Sequence, residues 1–195
     1  MRSTDKNRVS VYVIREERLN DYFDLLAWGL RVGLLSQPEA QALRRNGFQH
    51  HNEASDVWKR SVALREAIYR ISKALMSGRL PQEPDLQTLN RELKISHSRM
   101  TLVSGKDRLV WAWNDTKSRL DQILCSVADS AAKMLTTGDL TRLRQCPGED
   151  CGWLFDDASR NRSRQWCDMK DCGNVAKVRR FRSRLRSPRH KKSSS

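Results

Sequence analysis

The chain has 195 residues, 38% of them hydrophobic and 31% charged, so it can form a core as one large domain or as a medium domain with a small appendage. Its formal net charge is +14, and between Arg160 and Lys192 thirteen basic residues are accompanied by only Asp168 and Asp171. A charge density of this kind attracts polyanions, first nucleic acid and then anionic membranes.

The sequence predicts neither a membrane span nor a secretory signal. No apolar run approaches the ~20 residues that a transmembrane helix needs, and residues 1–20 lack the apolar region of a signal peptide. We therefore expect a cytoplasmic protein that does not bind membranes. In that compartment paired cysteines are more often metal ligands than disulfides.

The chain begins with two predicted helices. Residues 16–35 carry apolar side chains at helical spacing, namely Leu19, Phe23, Leu26 and Leu30. Ser36 and Glu39 have the spacing of a capping box, which predicts the start of a second helix, and Gly47 is predicted to end it.

Two further helices follow before the periodicity changes. The longest is predicted over residues 53–76, and a shorter one begins near Asp85. Alternation on both sides of the four-residue loop 104–107 then predicts a β-hairpin.

A last long helix completes this first part of the chain. Asp115 is predicted as its N-cap and Gly138 as its end. Cys125 falls next to the apolar stripe of this helix, which predicts a small core residue. Four tryptophans could line a small-molecule pocket or simply fill the core: Trp28, Trp58, Trp111 and Trp113.

The remaining cysteines are arranged as C-x4-C-x15-C-x4-C. Each pair can close a tight turn around one ion, with Pro147-Gly148 and Gly173-Asn174 as turn residues. Four thiolates in tetrahedral array suit one structural zinc ion. The predicted ligands are Cys146, Cys151, Cys167 and Cys172.

Other interpretations of these residues stay open at this stage. The four cysteines could form two disulfides, hold an iron–sulfur cluster or bind a catalytic zinc ion, although four protein ligands leave that ion no open position. The adjacent pair His50 and His51 could be a second metal site or the solvated start of a helix.

The segment after the last ligand is predicted to form an amphipathic helix. At 100° per residue, four apolar side chains fall within an arc of about 120°, and they are Val175, Val178, Phe181 and Leu185. Lys177, Arg180 and Arg184 fall within about 60° of one another on a different arc. A ligand pair that leads into a helix resembles the treble-clef fingers.

Basic residues of this helix and of the loop before it could contact phosphates together. The candidate nucleic-acid contacts are Arg160, Arg162, Arg164, Lys177, Arg179, Arg180 and Arg184. The zinc ion would fix the helix and the loop as one rigid unit. The alternative is that these side chains form a solvated face or pair with acidic groups elsewhere in the chain.

At these residues the chain resembles a CGNR-type zinc finger. The matching stretch is "CPGEDCGWLFDDASRNRSRQWCDMKDCGNVAKVRRFRSR", residues 146–184. Upstream, "DLLAWGLRVGLL" (residues 24–35) and "ALREAIYRI" (residues 63–71) are similar to the helical ABATE domain that usually precedes this finger. The resemblance implies a stress-linked transcription regulator of bacteria, with the zinc-ligand roles on the four cysteines.

Two features depart from the family pattern. The signature arginine of the CGNR motif is Val175 here, which removes one contact if that arginine binds phosphate. ABATE domains usually open with an apolar strand similar to Leu-Asp-Phe-Val-Asn-Thr, which "RVSVYVIREERL" does not match. Alternating Val9, Val11 and Val13 still predict a strand in this stretch.

These observations predict a mainly α fold with a small β-hairpin. An ABATE-like helical domain is expected over residues 1–140, a treble-clef-like CGNR finger ending in a basic helix over 141–187, and a disordered basic tail over 188–195. The finger is expected to bind double-stranded DNA, and the helical domain to bind a small-molecule effector or to form a homodimer. RNA binding and a protein-interaction adaptor with a purely structural zinc ion are the alternatives. No nucleophile–base pair or phosphate-binding glycine loop suggests an enzyme.

Overall fold

The computed structural model describes residues 17–114, 119–149 and 151–186. These residues form two compact units, one of residues 17–140 and one that begins at Thr141. The first unit contains five helices and a hairpin, and the second contains a small hairpin followed by a helix. The predicted mainly α fold is confirmed.

Three predictions concern residues outside the described ranges. They are the strand around Val9, Val11 and Val13, the side chain of Asp115, and the tail 188–195. The prediction that Asp115 caps the last long helix is wrong, because this helix begins at Gln122 and its N-cap is Asp121. Among the helices that the structure describes, none combines the length and the apolarity needed to cross a bilayer.

The helices of the first unit are arranged around one long central helix. In chain order they are α1 (Tyr22–Arg31), α2 (Gln37–Gln49), α3 (His51–Met76), α4 (Glu83–His97) and α5 (Gln122–Thr137). The 26-residue α3 contacts each of the other four. Its length therefore gives every other helix of this unit a surface to pack on.

The helix ends follow local side-chain chemistry. Ser36 and Glu39 form the predicted capping box, in which the Ser36 N–H donates to the Glu39 carboxylate at 2.7 Å. Gly33, two residues after α1, has φ +77°, a conformation that glycine adopts without strain. The prediction that Gly47 ends α2 is wrong. Gly47 lies inside this helix because it packs on Tyr22, and an added Cβ there would lie 2.9 Å from the Tyr22 ring.

The core of the first unit is continuous and apolar. Fully burying one large aliphatic side chain contributes about 1.5–3 kcal/mol. The most buried large members come from α2, α3 and α5, and they are Leu43, Leu64, Ile71, Ile123 and Leu124. Cys125 is 2% exposed, which confirms it as a small core residue.

A buried ionic cluster joins α3, α4 and α5, and periodicity gave no sign of it. Arg60 Nη2 lies 2.6 Å from a carboxylate oxygen of Glu92, which is 1% exposed. Arg99 Nη1 lies 2.8 Å from Asp121 Oδ1. Burial acts to raise the pKa of Asp121, but the hydrogen bond and charge of Arg99 outweigh it and hold this pKa below its ordinary value.

The hairpin consists of β1 (Met100–Ser104) and β2 (Leu109–Trp113), paired in antiparallel register with Ser104 opposite Leu109. Its four-residue connection is therefore 105–108, one residue later than predicted. Leu102, Leu109 and Trp111 lie on one face of this hairpin and are at least half exposed. Trp28 and Trp58 instead pack against the core. These two tryptophans therefore contribute to the core, whereas Trp111 is exposed.

The second unit is built from short elements. They are β3 (Leu143–Gln145), β4 (Leu154–Asp156), a π-helical turn (Met169–Gly173) and α6 (Asn174–Arg186). β3 and β4 are antiparallel, and Leu143 lies opposite Asp156. Between β4 and the turn runs a loop, residues 157–166, that carries three arginines.

Candidate metal centre

The first cysteine pair sits at the tip of the β3–β4 hairpin. Cys146 directly follows β3, and its N–H donates to Trp153 O at 2.8 Å. Cys151 precedes β4, and its N–H donates to Gly148 O at 3.0 Å. The two hydrogen bonds hold both cysteines at this end of the hairpin, and their side chains face one site.

The second pair lies in the turn that begins α6. The Asp168 carboxylate accepts from the backbone N–H of Lys170 at 2.6 Å and of Asp171 at 3.4 Å, which caps this turn. Cys167 stands just before the cap and Cys172 within the turn. The last ligand is therefore part of the same continuous helical segment as α6.

The four thiols converge on a single point. Their Sγ atoms all lie within 4.8 Å of one another. The Sγ of Cys167 lies 3.5 Å from that of Cys151 and 3.6 Å from that of Cys172. A tetrahedral zinc ion with bonds of about 2.3 Å requires sulfur–sulfur distances of about 3.8 Å, so the arrangement fits.

The same distances argue against the disulfide interpretation. A disulfide bond is about 2.05 Å long, and all four thiols are free. The cluster is also closed, because four sulfur ligands fill a tetrahedral ion and leave no position for substrate. The geometry thus favours a structural ion over a catalytic one.

Gly148 lets the first turn close on the site. A Cβ at this position would lie 2.9 Å from the Cβ of Cys151 and 3.4 Å from the Sγ of Cys172. Any side chain would therefore push the two cysteine pairs apart. This is the position at which the predicted Pro147-Gly148 turn depends on glycine.

The electrostatics of the cluster require a cation. Burial and the adjacent thiols raise the pKa of Cys172 to about 12 and that of Cys167 still further. Burial also acts to raise the pKa of Cys146, but backbone N–H groups of Cys167 and Gly148 donate to its sulfur and lower it. Four thiolates held this close together need the positive charge of a bound metal ion.

The loop between the two pairs is organised by one buried carboxylate. Asp157 has no exposed surface and accepts from the backbone N–H of Ser159 at 3.1 Å and of Arg164 at 3.2 Å. The hydrogen bond from the Ser159 hydroxyl is the main reason that the pKa of Asp157 is lowered. The stretch "DDAS" contains the aspartate and serine that are typical of such a turn, but the turn was not predicted from the sequence.

Arg164 works within the unit itself. Its Nε donates to Trp166 O at 2.9 Å, and its Nη2 donates to Cys167 O. The guanidinium also lies 4.8 Å from the ring centre of Phe155, a cation–π distance. This candidate nucleic-acid contact therefore holds the backbone next to a metal ligand.

The other candidate contacts are either paired within the unit or exposed. Arg179 forms an ion pair with Glu149 of the first cysteine turn. Arg160 and Arg162 are exposed in the loop. Three exposed side chains share one face of α6, as the periodicity predicted: Lys177, Arg180 and Arg184.

The apolar arc of α6 is exposed and is not packed on the finger. Phe181 is 64% exposed and Leu185 is 71% exposed. Ala176, on another side of this helix, is the half-buried position. The second unit buries only Cys146 and Phe155 among its described hydrophobic residues, so it offers little apolar surface for the arc to cover.

The histidine pair lies apart from the cysteines. His50 follows α2, where its Nδ1 is 3.1 Å from Asn46 O, and His51 is the exposed first residue of α3. Within the part of the chain that the structure describes, the four cysteines form the only group of metal-type ligands found close together.

Two sequence-family models match this chain. The ABATE model, described as "Putative stress-induced transcription regulator", matches residues 4–138, and the CGNR zinc finger model matches residues 142–185. No curated protein matches the sequence at a significant level. The finger match and the sulfur geometry together identify one structural zinc ion, held by the four cysteines.

Proposed function

Since this chain belongs to the ABATE family and carries a CGNR zinc finger, we propose that it is a zinc-dependent transcription regulator whose finger binds double-stranded DNA. The helical unit is proposed to sense a small molecule or to form a homodimer, and the finger to contact the phosphate backbone. A bacterial regulator of this kind acts in the cytoplasm, where the chromosome lies.

The exposed basic face of α6 carries the proposal. Lys177, Arg180 and Arg184 recur at helical spacing on one side, and α6 contains no acidic residue. No acidic side chain of α6 itself therefore neutralises this face. Cationic side chains on a helix are the usual contacts to DNA phosphates.

The zinc ion supports this role by fixing the helix. Cys172 ligates the ion from the turn that becomes α6, and Arg179 pairs with Glu149 from the opposite cysteine turn. The basic face is thereby held in one orientation relative to the hairpin. A preorganised cationic face pays less entropy on binding than a flexible tail.

One observation favours an adaptor as the second candidate. The apolar arc of α6 is exposed, including Val178, Phe181 and Leu185. A protein partner could bury this arc, whereas DNA phosphates could not. The adaptor and DNA-binding functions use different sides of one helix and can be separated by mutation.

The test is a salt titration of binding to duplex DNA. In the variant Arg180→Ala with Arg184→Ala, affinity should fall for every sequence, and the slope of log K against log salt should flatten by about 1 to 2 units. Zinc content should stay the same, because neither residue is a ligand. An RNA duplex of matched length, measured in parallel, tests the RNA alternative.

Arg182→Ala is the matched control, since Arg182 belongs to the same helix but lies on the side of the apolar arc. It should change the slope less than Arg180→Ala alone. If the double variant and the control behave alike, the basic face is not the binding surface, and the adaptor becomes the better proposal.

A further inference from the structure

A cleft of about 530 Å³ lies on the second unit, and none of the described residues of α6 lines it. One wall is Arg144 of β3 together with Pro147 of the first cysteine turn, and the other is the loop from Arg162 to Trp166. The volume falls within the range of about 300–1,000 Å³ typical of small-molecule sites. Neither the zinc ion nor the proposed DNA contacts of α6 require such a cleft.

The loop wall is held by hydrogen bonds to Asp157. It is tied at its base by Asp157, whose N–H donates to Arg142 O at 2.8 Å and whose carboxylate holds Ser159 and Arg164. Arg162 has φ +49°, a left-handed conformation that is uncommon for a residue with a side chain and is frequent in functional loops. This backbone conformation costs free energy, and the hydrogen bonds of Asp157 hold the loop in it.

Two arginines give the cleft a positive wall. Arg144 Nε lies 3.8 Å from Asp157 Oδ2, and its Nη2 donates to Arg162 O at 3.5 Å. Arg162 donates from Nη1 to the Thr141 hydroxyl at 2.9 Å, and it also lines the cleft. Guanidinium groups in this arrangement suit a phosphate, which accepts bidentate hydrogen bonds.

Trp166 gives the cleft an aromatic wall next to this charge. It immediately precedes the zinc ligand Cys167, and its carbonyl accepts from Arg164. It also packs beside Gly173, where an added Cβ would lie 3.3 Å from the indole Cδ1. The indole is half-buried, and Trp166 is one of the residues that line the cleft.

From this juxtaposition we propose that the cleft binds a nucleotide. Arg144 and Arg162 bind its phosphate, and Trp166 stacks against its base. A free mononucleotide and an unpaired nucleotide within a strand offer this same chemistry. The site is separate from the duplex contacts of α6, so it adds a second ligand to the proposed regulator.

The test uses full-length, zinc-loaded protein and three probes. They are deoxythymidine monophosphate, a short single-stranded oligothymidine and a duplex of matched length, each titrated by calorimetry. Trp166→Leu should weaken binding of the nucleotide probe by roughly 10-fold, while Trp166→Phe, which can still stack, should lose much less. Arg144→Gln should also weaken it by roughly 10-fold.

Arg160→Gln is the matched control, because Arg160 belongs to the same loop but does not line the cleft. Binding of the mononucleotide indicates a free effector, and binding of the oligonucleotide alone indicates a strand. The proposal is overturned if neither the mononucleotide nor the oligonucleotide binds. It is also overturned if Arg144→Gln, Trp166→Phe and Trp166→Leu all retain zinc and all bind these two probes as the wild type does. Duplex binding that persists in those variants would leave the proposed function intact.

Discussion

The two units of this chain solve the same problem, how to hold a backbone in one shape, by different means. Residues 17–140 bury a continuous apolar core between five helices, whereas the described part of the second unit buries only Cys146 and Phe155 among its hydrophobic residues. In the second unit four sulfur atoms replace the core. A structural zinc site contributes roughly 10–16 kcal/mol in small peptides, as much as a whole domain's net stability of about 5–15 kcal/mol.

The difference shows what a metal centre allows a small unit to do. Without a core to cover, the second unit can place nearly all its side chains at the surface, and it uses that surface for arginine. The helix α6 carries no acidic residue of its own, although Arg179 pairs with Glu149 of the first cysteine turn. The helical unit instead pairs its charges even in the interior, as Arg60 and Glu92 do.

The largest expected effect is unfolding of the second unit alone, caused by loss of its zinc ion. Cys167→Ser should abolish zinc binding and unfold residues from Thr141 onward, because three remaining thiolates no longer fill the ion and the unit has little core. The helical unit should stay folded. Elemental analysis would measure the zinc, and amide NMR spectra would show which unit has lost dispersion.

Cys125→Ala is the control for this experiment, since it removes a thiol that lies in the helical core and is not a ligand. It should retain one zinc ion per chain. Loss of the helical unit's NMR signals in Cys167→Ser would contradict independent folding of the predicted domains.

Truncating a core side chain of the helical unit should destabilise that unit and leave the second unit unchanged. Leu64→Ala removes a side chain that is 1% exposed in α3, and the lost burial and the cavity should lower the free energy of unfolding of the helical unit by about 2–5 kcal/mol. Zinc content should not change. Leu80→Ala, at a residue that is 87% exposed, is the matched control and should cost almost nothing when both are measured by urea denaturation.

The buried ionic cluster makes the helical unit sensitive to acid. Because the pKa of Asp121 is lowered in the folded state, its ion pair with Arg99 stabilises the fold above the ordinary pKa, and this stabilisation is lost as pH falls through the lowered value. Asp121→Asn should therefore cost about 1.5–3 kcal/mol at pH 7. Its difference from the wild type should shrink below pH ~4, which thermal melts across a pH series would test.

The smallest expected effect concerns the exposed arc of α6. Phe181→Ala should change the stability of the second unit by less than about 0.5 kcal/mol, because surface substitutions away from a packed contact rarely do more. Zinc release by a competing chelator would report this stability. A cost of several kcal/mol would mean that Phe181 packs against something after all, and would favour the adaptor function.

Sequence periodicity was enough to find the helices, the first hairpin and the zinc ligands. Each of these depends on spacing along the chain: the 3.6-residue repeat through Leu64 and Ile71, the alternation around residues 104–107, and the two Cys-x4-Cys pairs. The hairpin loop was placed one residue too early. Gly47 was wrongly predicted to end a helix, because a glycine can mark either a helix end or a close packing contact. Only the neighbouring residue in space distinguishes the two cases. Tyr22 is that neighbour, 25 residues earlier.

The features that were not predicted are of two kinds: contacts between residues distant along the chain, such as Arg60 with Glu92, and local turns, such as that of Asp157 with Ser159. Nothing local in the sequence indicates that Glu92 meets Arg60, or that Arg164 turns inward to backbone carbonyls while Arg160 stays exposed. The apolar arc of α6 was located correctly, but a periodic pattern cannot say whether an apolar surface exists to cover it. Arg144 was missed because it stands alone in β3, outside any basic cluster.

The continuity of the zinc-bound turn with α6 makes this helix a lever. Thirteen residues at 1.5 Å rise extend about 20 Å from the ion, so a tilt of about 10° at the base displaces the far end by roughly 3 Å. That is the length of a hydrogen bond. A substitution such as Gly148→Ala, which wedges the cysteine turns apart without removing a ligand, would leave the zinc ion in place and still misalign Arg184 with whatever it contacts.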